Sequence, residues 1–243
     1  MCCGCFFNGD IMKKIKSLLS YFTKAELILW LCSLLVIAVS FIIFDRVNYL
    51  TLTASLIGVT SLIFCAKGNP IGQMLMIIFG LFYGYISYGF AYYGEMVTYL
   101  GMTLPMSAFS LVAWLKNPYK GKRAEVTVKR ISKKELPFML LLTLAVTVCF
   151  YFILRRFGTA NLIPSTLSVA TSFAAAYLTF RRSPFFALIY AMNDIVLIIL
   201  WILAAFKDIS YLSVIICFAV FLVNDLYGFF SWRKMERRQK LNI

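Results

Sequence analysis

The chain contains no histidine, which removes His-based metal sites, Ser-His-Asp triads and imidazole proton relays. Charge is also scarce: charged residues make up 14% of 243, and only 10 of them are acidic. Soluble domains carry about 25% charged residues and are about half apolar. Here 62% of residues are hydrophobic and the mean hydropathy is +0.85. That balance excludes a water-soluble globule, and it excludes disorder, which needs low hydrophobicity. An odd cysteine count of seven gives no disulfide framework. Cys32, Cys65, Cys149 and Cys217 lie in apolar stretches, where buried thiols acting as small hydrophobes are expected. Cys2, Cys3 and Cys5 sit in an opening, MCCGCFFNGD, that fits nothing after it. They admit a metal or acylation site, but Met12 opens a sensible sequence, MKKIKSLLSYF, and a start there is the preferred reading. No GxxxxGK[ST] segment is present, so no ATPase, cofactor or resident metal is expected.

What the chain does have is apolar runs. Reading for stretches of about 20 residues gives eight spans, at 26–45, 49–66, 69–92, 95–115, 137–155, 162–180, 184–206 and 209–232. Spans 49–66 and 162–180 are dotted with Ser and Thr, which predicts that they face protein rather than lipid. The expected organisation is an N-terminal segment 1–25, one transmembrane domain 26–232 and a basic tail 233–243. Within the domain, 116–136 reads as a basic, solvated loop. The net charge of +14 is clumped between apolar runs, which is a topological signal and not a nucleic-acid-binding one. Placing both termini inside puts 20 of the 24 Lys and Arg on the cytoplasmic side of the lipid bilayer. Trp114 and Trp232, at cytoplasmic span ends, are expected to be interface anchors, as are Tyr92 and Tyr93 at the opposite interface.

The chain also contains an internal repeat. Asn69-Pro70 and Ser183-Pro184 each open a span, Gly94-Glu95 matches Lys207-Asp208, and SAFSLVAW (107–114) matches DLYGFFSW (225–232). The repeats are 49–115 and 162–232, and a single linker helix at 137–155 keeps them in the same orientation. Parallel repeats of this kind build transporters that bind cargo between their halves near the bilayer midplane. Pro105 is expected to bend span 4.

Eight of the ten carboxylates fall in loops, tails or span ends. The exceptions are Asp194 and Asp225, each preceded by Asn (Asn193, Asn224) and followed seven residues later by Trp (Trp201, Trp232). That spacing puts Asp and Trp on one helix face, about 10 Å apart. A carboxylate at midplane costs about 2.5–3.5 kcal/mol on insertion scales, so it should face a cavity or a partner. No Lys or Arg lies in a span interior to pair with it. Hydrogen bonds, a bound cation or protonation must hold it, and the site suits a polyhydroxylated ligand with positive charge or an aromatic ring. Trp201, Tyr88 and Tyr85 are the stacking candidates, and Gln73 a further ligand candidate. Packing glue is the competing reading for both Asn-Asp pairs. An intramembrane acid–base enzyme is disfavoured, because neither Asp has a flank such as Gly-x-Gly-Asp.

The NP-opened span with YISYGFAYYGEM, then WLKNP, and the closing NDLYGFFSW with its basic tail resemble the PnuC family of bacterial nicotinamide riboside transporters. The resemblance covers about residues 26–240. It implies an all-α, eight-helix membrane protein with a 3+1+3 parallel-repeat core, similar to SWEET sugar transporters in the opposite orientation, plus an N-terminal helix. It implies facilitated diffusion across the bacterial cytoplasmic membrane, trapping by a cytoplasmic riboside kinase that feeds NAD synthesis, and a homotrimer. The second-repeat pattern kept here implies substrate contacts from Asp225 and Tyr227, beside the candidates Asn193, Asp194, Trp201, Asn224, Gln73 and Tyr88 read from the spans themselves. The family's first repeat often ends in Asn-x-Tyr-Gly-Trp-x-x-Trp, whereas only Trp114 of that pattern is kept here. The resemblance therefore also admits a carrier of thiamine, riboflavin or a deoxynucleoside, with ion coupling through Asp194 as the mechanistic alternative.

Overall fold

The computed structural model describes residues 21–89, 93–159, 161–206 and 208–241. Cys2, Cys3 and Cys5, most of segment 1–25, Tyr92 and Lys207 therefore lie outside the described residues. Eight helices among the described residues are long and apolar enough to cross a bilayer. They are α1 (Lys24–Phe44), α2 (Tyr49–Ala66), α3 (Pro70–Gly89), α4 (Tyr93–Leu115), α5 (Leu136–Arg156), α6 (Leu162–Phe180), α7 (Phe186–Ala205) and α8 (Leu212–Leu241). At 1.5 Å per residue, the first seven roughly match a hydrocarbon core of about 30 Å. The chain is an all-α, multi-pass membrane protein. Its longest helix, α8, continues past the apolar run into the basic tail.

Helices α2, α3, α4, α6, α7 and α8 close into a ring in which α2 packs on α8 and α4 on α6. Outside the ring, α1 lies on α2 and α8, and α5 lies on α6 and touches α4. These two outer helices occupy equivalent places, each preceding the first helix of a repeat. Their exposed Leu, Ile, Val and Phe side chains form the lipid-facing surface. Cys32 on α1 and Cys149 on α5 share that surface, so only Cys65 and Cys217 are the buried thiols expected of all four. Pro105 cannot donate an amide hydrogen bond, and the turn just before it widens to a π turn over Tyr99–Thr103.

The α2–α3 pair is drawn close by one glycine. Ser61 Oγ donates to the Gly72 carbonyl at 2.8 Å. A Cβ at position 72 would stand 2.5 Å from Cys65 Sγ and 2.7 Å from the Cys65 backbone nitrogen. Gly72→Ala is expected to lower stability by about 1–3 kcal/mol, because backbone must move. Gly228→Ala, whose Cβ would meet nothing closer than 3.5 Å, is expected to leave the melting temperature nearly unchanged. Equal melting temperatures for the two variants in detergent would contradict this packing.

Two expectations for the basic end are corrected. Segment 116–136 keeps most of its basic side chains exposed, but it is an ordered strap and not a plain loop. Pro118–Tyr119 (β1) pairs antiparallel with Lys122–Val126 (β2), and the chain then runs as a strap across the helix ends. Val126 is fully buried. Its amide donates to the Gly68 carbonyl at the α2–α3 turn, and the Lys129 amide donates to the Arg182 carbonyl at the α6–α7 turn, both at 3.0 Å. The two turns are equivalent, with left-handed residues at Gly68 (φ +66°) and Arg182 (φ +58°). The strap thus satisfies one carbonyl in each repeat. Ion pairs hold it to the helices: Arg130 with Glu236, Arg238 with Glu125, and Arg181 with Glu135 at the strap's end. Burial opposes ionisation of Glu135, yet hydrogen bonds from Arg181 and Tyr177 outweigh it and hold the carboxyl below its ordinary range. Sequence periodicity missed the strap because its partners lie as many as 114 residues away.

Trp114 and Trp232 are not interface anchors either, since neither has any exposed surface. Trp114 Nε1 donates to the Thr179 carbonyl at 2.9 Å, near the end of α6. Trp232 Nε1 donates to the Cys65 carbonyl at 2.7 Å, near the end of α2. The last helix of each repeat therefore caps the first helix of the other. Each carbonyl also accepts a turn amide, Cys65 from Gly68 at 2.9 Å and Thr179 from Arg182 at 3.0 Å, so the buried indole N–H finds the acceptor it needs in the second lone pair. The rings lie 5.4 Å apart and share Phe186 as a neighbour.

Candidate functional site

Asp194 occupies the middle of α7, far from either helix end. It is 4% exposed, and its Oδ2 is buried with no hydrogen-bond partner. Asp225 of α8 is also buried and stands within hydrogen-bonding reach of Asp194. Both line a cavity enclosed by α2, α3, α4, α6, α7 and α8, with Leu154 of α5 also on its wall and about 1080 Å³ of free space including its mouth.

Asn193 lines the same cavity from α7. Its Oδ1 accepts from Ser168 at 3.1 Å and from Thr171 at 2.8 Å, both on α6. With the carbonyl engaged, the amide nitrogen is the end left to donate to a ligand. The Ser- and Thr-rich pattern of span 162–180 thus serves to orient Asn193. Trp201 lines the cavity two turns above Asp194, with its ring 5.2 Å from that of Tyr211. It also lines a second cavity with Asp45, Asp208 and Glu95, so the indole separates the two spaces. Glu95 lines both cavities as well.

Four of the eight expected site residues (Asn193, Asp194, Trp201 and Asp225) therefore meet in one place. The other four do not line it. Tyr88 is 62% exposed on α3 and does not line the cavity with Trp201, so the two do not offer a cargo ring a shared stacking site, and Tyr85 is exposed too. Gln73 is buried, with Nε2 donating to Cys65 Sγ at 3.2 Å. Asn224 Nδ2 donates to Ser33 Oγ of α1 at 2.9 Å, which fits the glue reading. Tyr227 donates to Glu26 at 3.2 Å, in a cluster with Lys67 at the basic end.

Sequence reasoning missed Glu95, Tyr99, Tyr190 and the Ser165–Ser168–Ser172 stripe, all of which line the cavity. Glu95 had a usable signal, since the repeat aligns it with Asp208 and both line the outer cavity. No Lys or Arg is among the described residues lining either cavity. Nor is any cluster of three or more metal-ligating side chains found among the described residues. The arrangement is a negatively biased, water-sized to ligand-sized chamber inside a helical ring, with one aromatic wall and one oriented amide.

A family profile described as "Nicotinamide mononucleotide transporter" matches residues 48–234, which hold the strap and nearly all of the ring. The chain belongs to this family of membrane transporters. It is not an enzyme. The match takes in α2 to α7 and α8 as far as residue 234, and leaves α1 and the last two turns of α8 outside it. Among characterised relatives, the nicotinamide riboside transporter PnuC of Neisseria mucosa is 25% identical over 213 residues, covering 86% of this chain and 81% of that protein. The PnuC transporter of Haemophilus influenzae is 25% identical over 192 residues, covering 79% of this chain and 82% of its own. A crystal structure of the vitamin B3 transporter PnuC superposes with a TM-score of 0.77 at 26% identity, covering 90% of this chain and 94% of that one.

Proposed function

We propose that this transporter imports nicotinamide riboside across the bacterial cytoplasmic membrane, with the basic end and both termini facing the cytoplasm. One observation carries the reading: the buried cavity holds Asp194 and Asp225 with no cation among its described lining residues. Such a lining favours a cargo that brings its own positive charge, as the pyridinium of nicotinamide riboside does. The same lining repels the phosphate of the mononucleotide, which distinguishes riboside from phosphorylated riboside by charge alone. Trp201 supplies a π face for the ring, and the Asn193 amide and the α6 hydroxyls hydrogen-bond the ribose and carboxamide. The names of the characterised relatives support the same cargo.

Transport proceeds by facilitated diffusion between two repeats, and a cytoplasmic riboside kinase traps the product for NAD synthesis. The functional unit is a homotrimer. A second reading, thiamine, is favoured by the same acidic lining, because thiamine also carries a ring cation. Riboflavin and deoxynucleosides are neutral and gain nothing from it.

Thermal-shift binding on purified protein separates these cargoes. Nicotinamide riboside at about 100 times its Kd should stabilise the protein by about 2.7 kcal/mol, and the mononucleotide should give no shift. Stabilisation by thiamine alone would change the cargo and keep the site. A response only to riboflavin or deoxynucleosides, or silence throughout, would overturn the reading.

A further inference from the structure

The basic end holds a recess that cargo transport does not use. It opens between the start of α1, the α2–α3 turn, β2 and the last turns of α8, with about 1010 Å³ of free space including its mouth. Four basic side chains converge on it, Lys67, Lys122, Lys234 and Arg238, against two carboxylates, Glu26 and Glu125. Both carboxylates are already engaged. Glu26 accepts from Lys67 at 2.9 Å, and Glu125 pairs with Arg238 and accepts from Gln239 at 2.8 Å. Lys122 and Lys234 are exposed, and neither forms an ion pair with a described residue. The described lining thus keeps two positive charges that its own carboxylates do not neutralise. Lys234 and Arg238 stand four residues apart on one face of α8, where like charges repel. The positive-inside rule accounts for lysines at this end, but not for their convergence on one hollow.

Depth says what kind of anion fits. Trp232 closes the apolar run of α8, and Lys234 and Arg238 follow it by two and six residues. At 1.5 Å per residue they stand about 3 and 9 Å beyond it. The headgroup layer on each side of the hydrocarbon is about 5–7 Å thick, so Lys234 lies within it and Arg238 at its outer edge. Lys67 directly follows α2, and Glu26 is in the first turn of α1. Within about two turns of these residues toward the bilayer, Ile28 and Leu31 of α1 and Leu226 and Phe230 of α8 are exposed. A phosphate at this depth with acyl chains below it meets cations and apolar surface in the right order.

We propose that the recess seats the headgroup of an anionic phospholipid with two phosphates, the chemistry of cardiolipin, with Lys122 and Lys234 taking the phosphate charge and the acyl chains lying against α1 and α8. Basic pockets at the cytoplasmic ends of transmembrane helices bind such headgroups. Two phosphodiesters match two unneutralised charges, whereas phosphatidylglycerol brings one. Because β2 forms one wall, a lipid seated there joins the strap to α1 and α8. The site is independent of the cargo, since none of its lining residues lines the central cavity.

The test is thermal shift and native mass spectrometry of the delipidated full chain in neutral detergent. Cardiolipin should raise the melting temperature and stay bound at one per chain, and phosphatidylglycerol should bind more weakly. Phosphatidylethanolamine, inorganic phosphate and diphosphate should give no shift. Lys122→Gln with Lys234→Gln should lose about 30-fold in cardiolipin affinity. Lys133→Gln with Lys134→Gln removes the same charge from exposed strap positions outside the recess and should bind as the parent does. Melting temperatures without lipid verify that both double variants are folded. Equal losses in the two double variants would reduce the effect to general surface charge and overturn the site. Equal stabilisation by phosphatidylethanolamine, or by soluble phosphate or diphosphate, would overturn the lipid headgroup as its occupant. Phosphatidylglycerol matching cardiolipin would overturn the two-phosphate match, and no response to cardiolipin would overturn the proposal outright.

Discussion

Trp232→Ala is expected to lower stability by about 3–5 kcal/mol. The indole is fully buried, and truncating it removes contacts to Trp114 and Phe186 together. It also strips the Cys65 carbonyl of its side-chain donor at the end of α2. At this chain length about 2–4 °C of melting temperature accompanies each kcal/mol, so the loss is readily measured in detergent. Trp232→Phe separates the two contributions: it keeps most of the packing and loses the hydrogen bond, for about 1–3 kcal/mol. Trp114→Ala should match Trp232→Ala, because it caps α6 through Thr179 in the equivalent way. The rings touch, so the double variant should fall short of additivity by about 0.5–3 kcal/mol. An interface anchor would behave otherwise. If either Ala variant melts with the parent protein, the cross-repeat caps do not hold the basic end together.

Trp201→Ala carries the second large effect, this time on binding. A cation over an indole face in a desolvated site contributes about 2 kcal/mol, which converts to a loss of about 30-fold in affinity for a cationic cargo. Trp201 also divides the central cavity from the outer one lined by Asp45 and Asp208. Removing it joins the two spaces and lets cargo leave faster, so the loss should appear in the dissociation rate. Trp201→Phe should recover part of the affinity. Asn193→Ala should weaken binding through a different route. It removes the donor amide and leaves Ser168 and Thr171 without their shared acceptor, for about 10-fold or more. Equilibrium binding and proteoliposome uptake measure both. Unchanged affinity and uptake in folded Asn193→Ala and Trp201→Ala proteins would remove the cavity from consideration as the cargo site.

The parts of the site that were legible in the sequence are the ones that violate a local rule. Asp194 and Asp225 stand out because a carboxylate in an apolar run must have a reason, and Trp201 follows from helical spacing to Asp194. Tyr88 misled for the same reason of locality. A tyrosine-rich stretch says that aromatics are present and does not say which face of α3 they take, and here the face is an exposed one. Asn224 and Tyr227 sit beside Asp225 in sequence, yet a helix turns about 100° per residue, so neighbours point to different partners. Asn224 meets α1, Tyr227 meets Glu26, and only Asp225 meets the cavity. Glu95 was hidden by its position near a turn, where a carboxylate needs no special explanation.

The sequence by itself determined the solvent, the number of spans and the midplane carboxylates. Each follows from a transfer free energy summed along a short stretch, and a bilayer imposes that sum regardless of the rest of the fold. The tertiary structure alone decided which polar side chains share a cavity, which tryptophans cap which helix ends and how 116–136 becomes a strap. Those outcomes depend on helix rotation and on partners far away in the chain, and a rotation of one residue exchanges a lipid-facing side chain for a cavity-lining one.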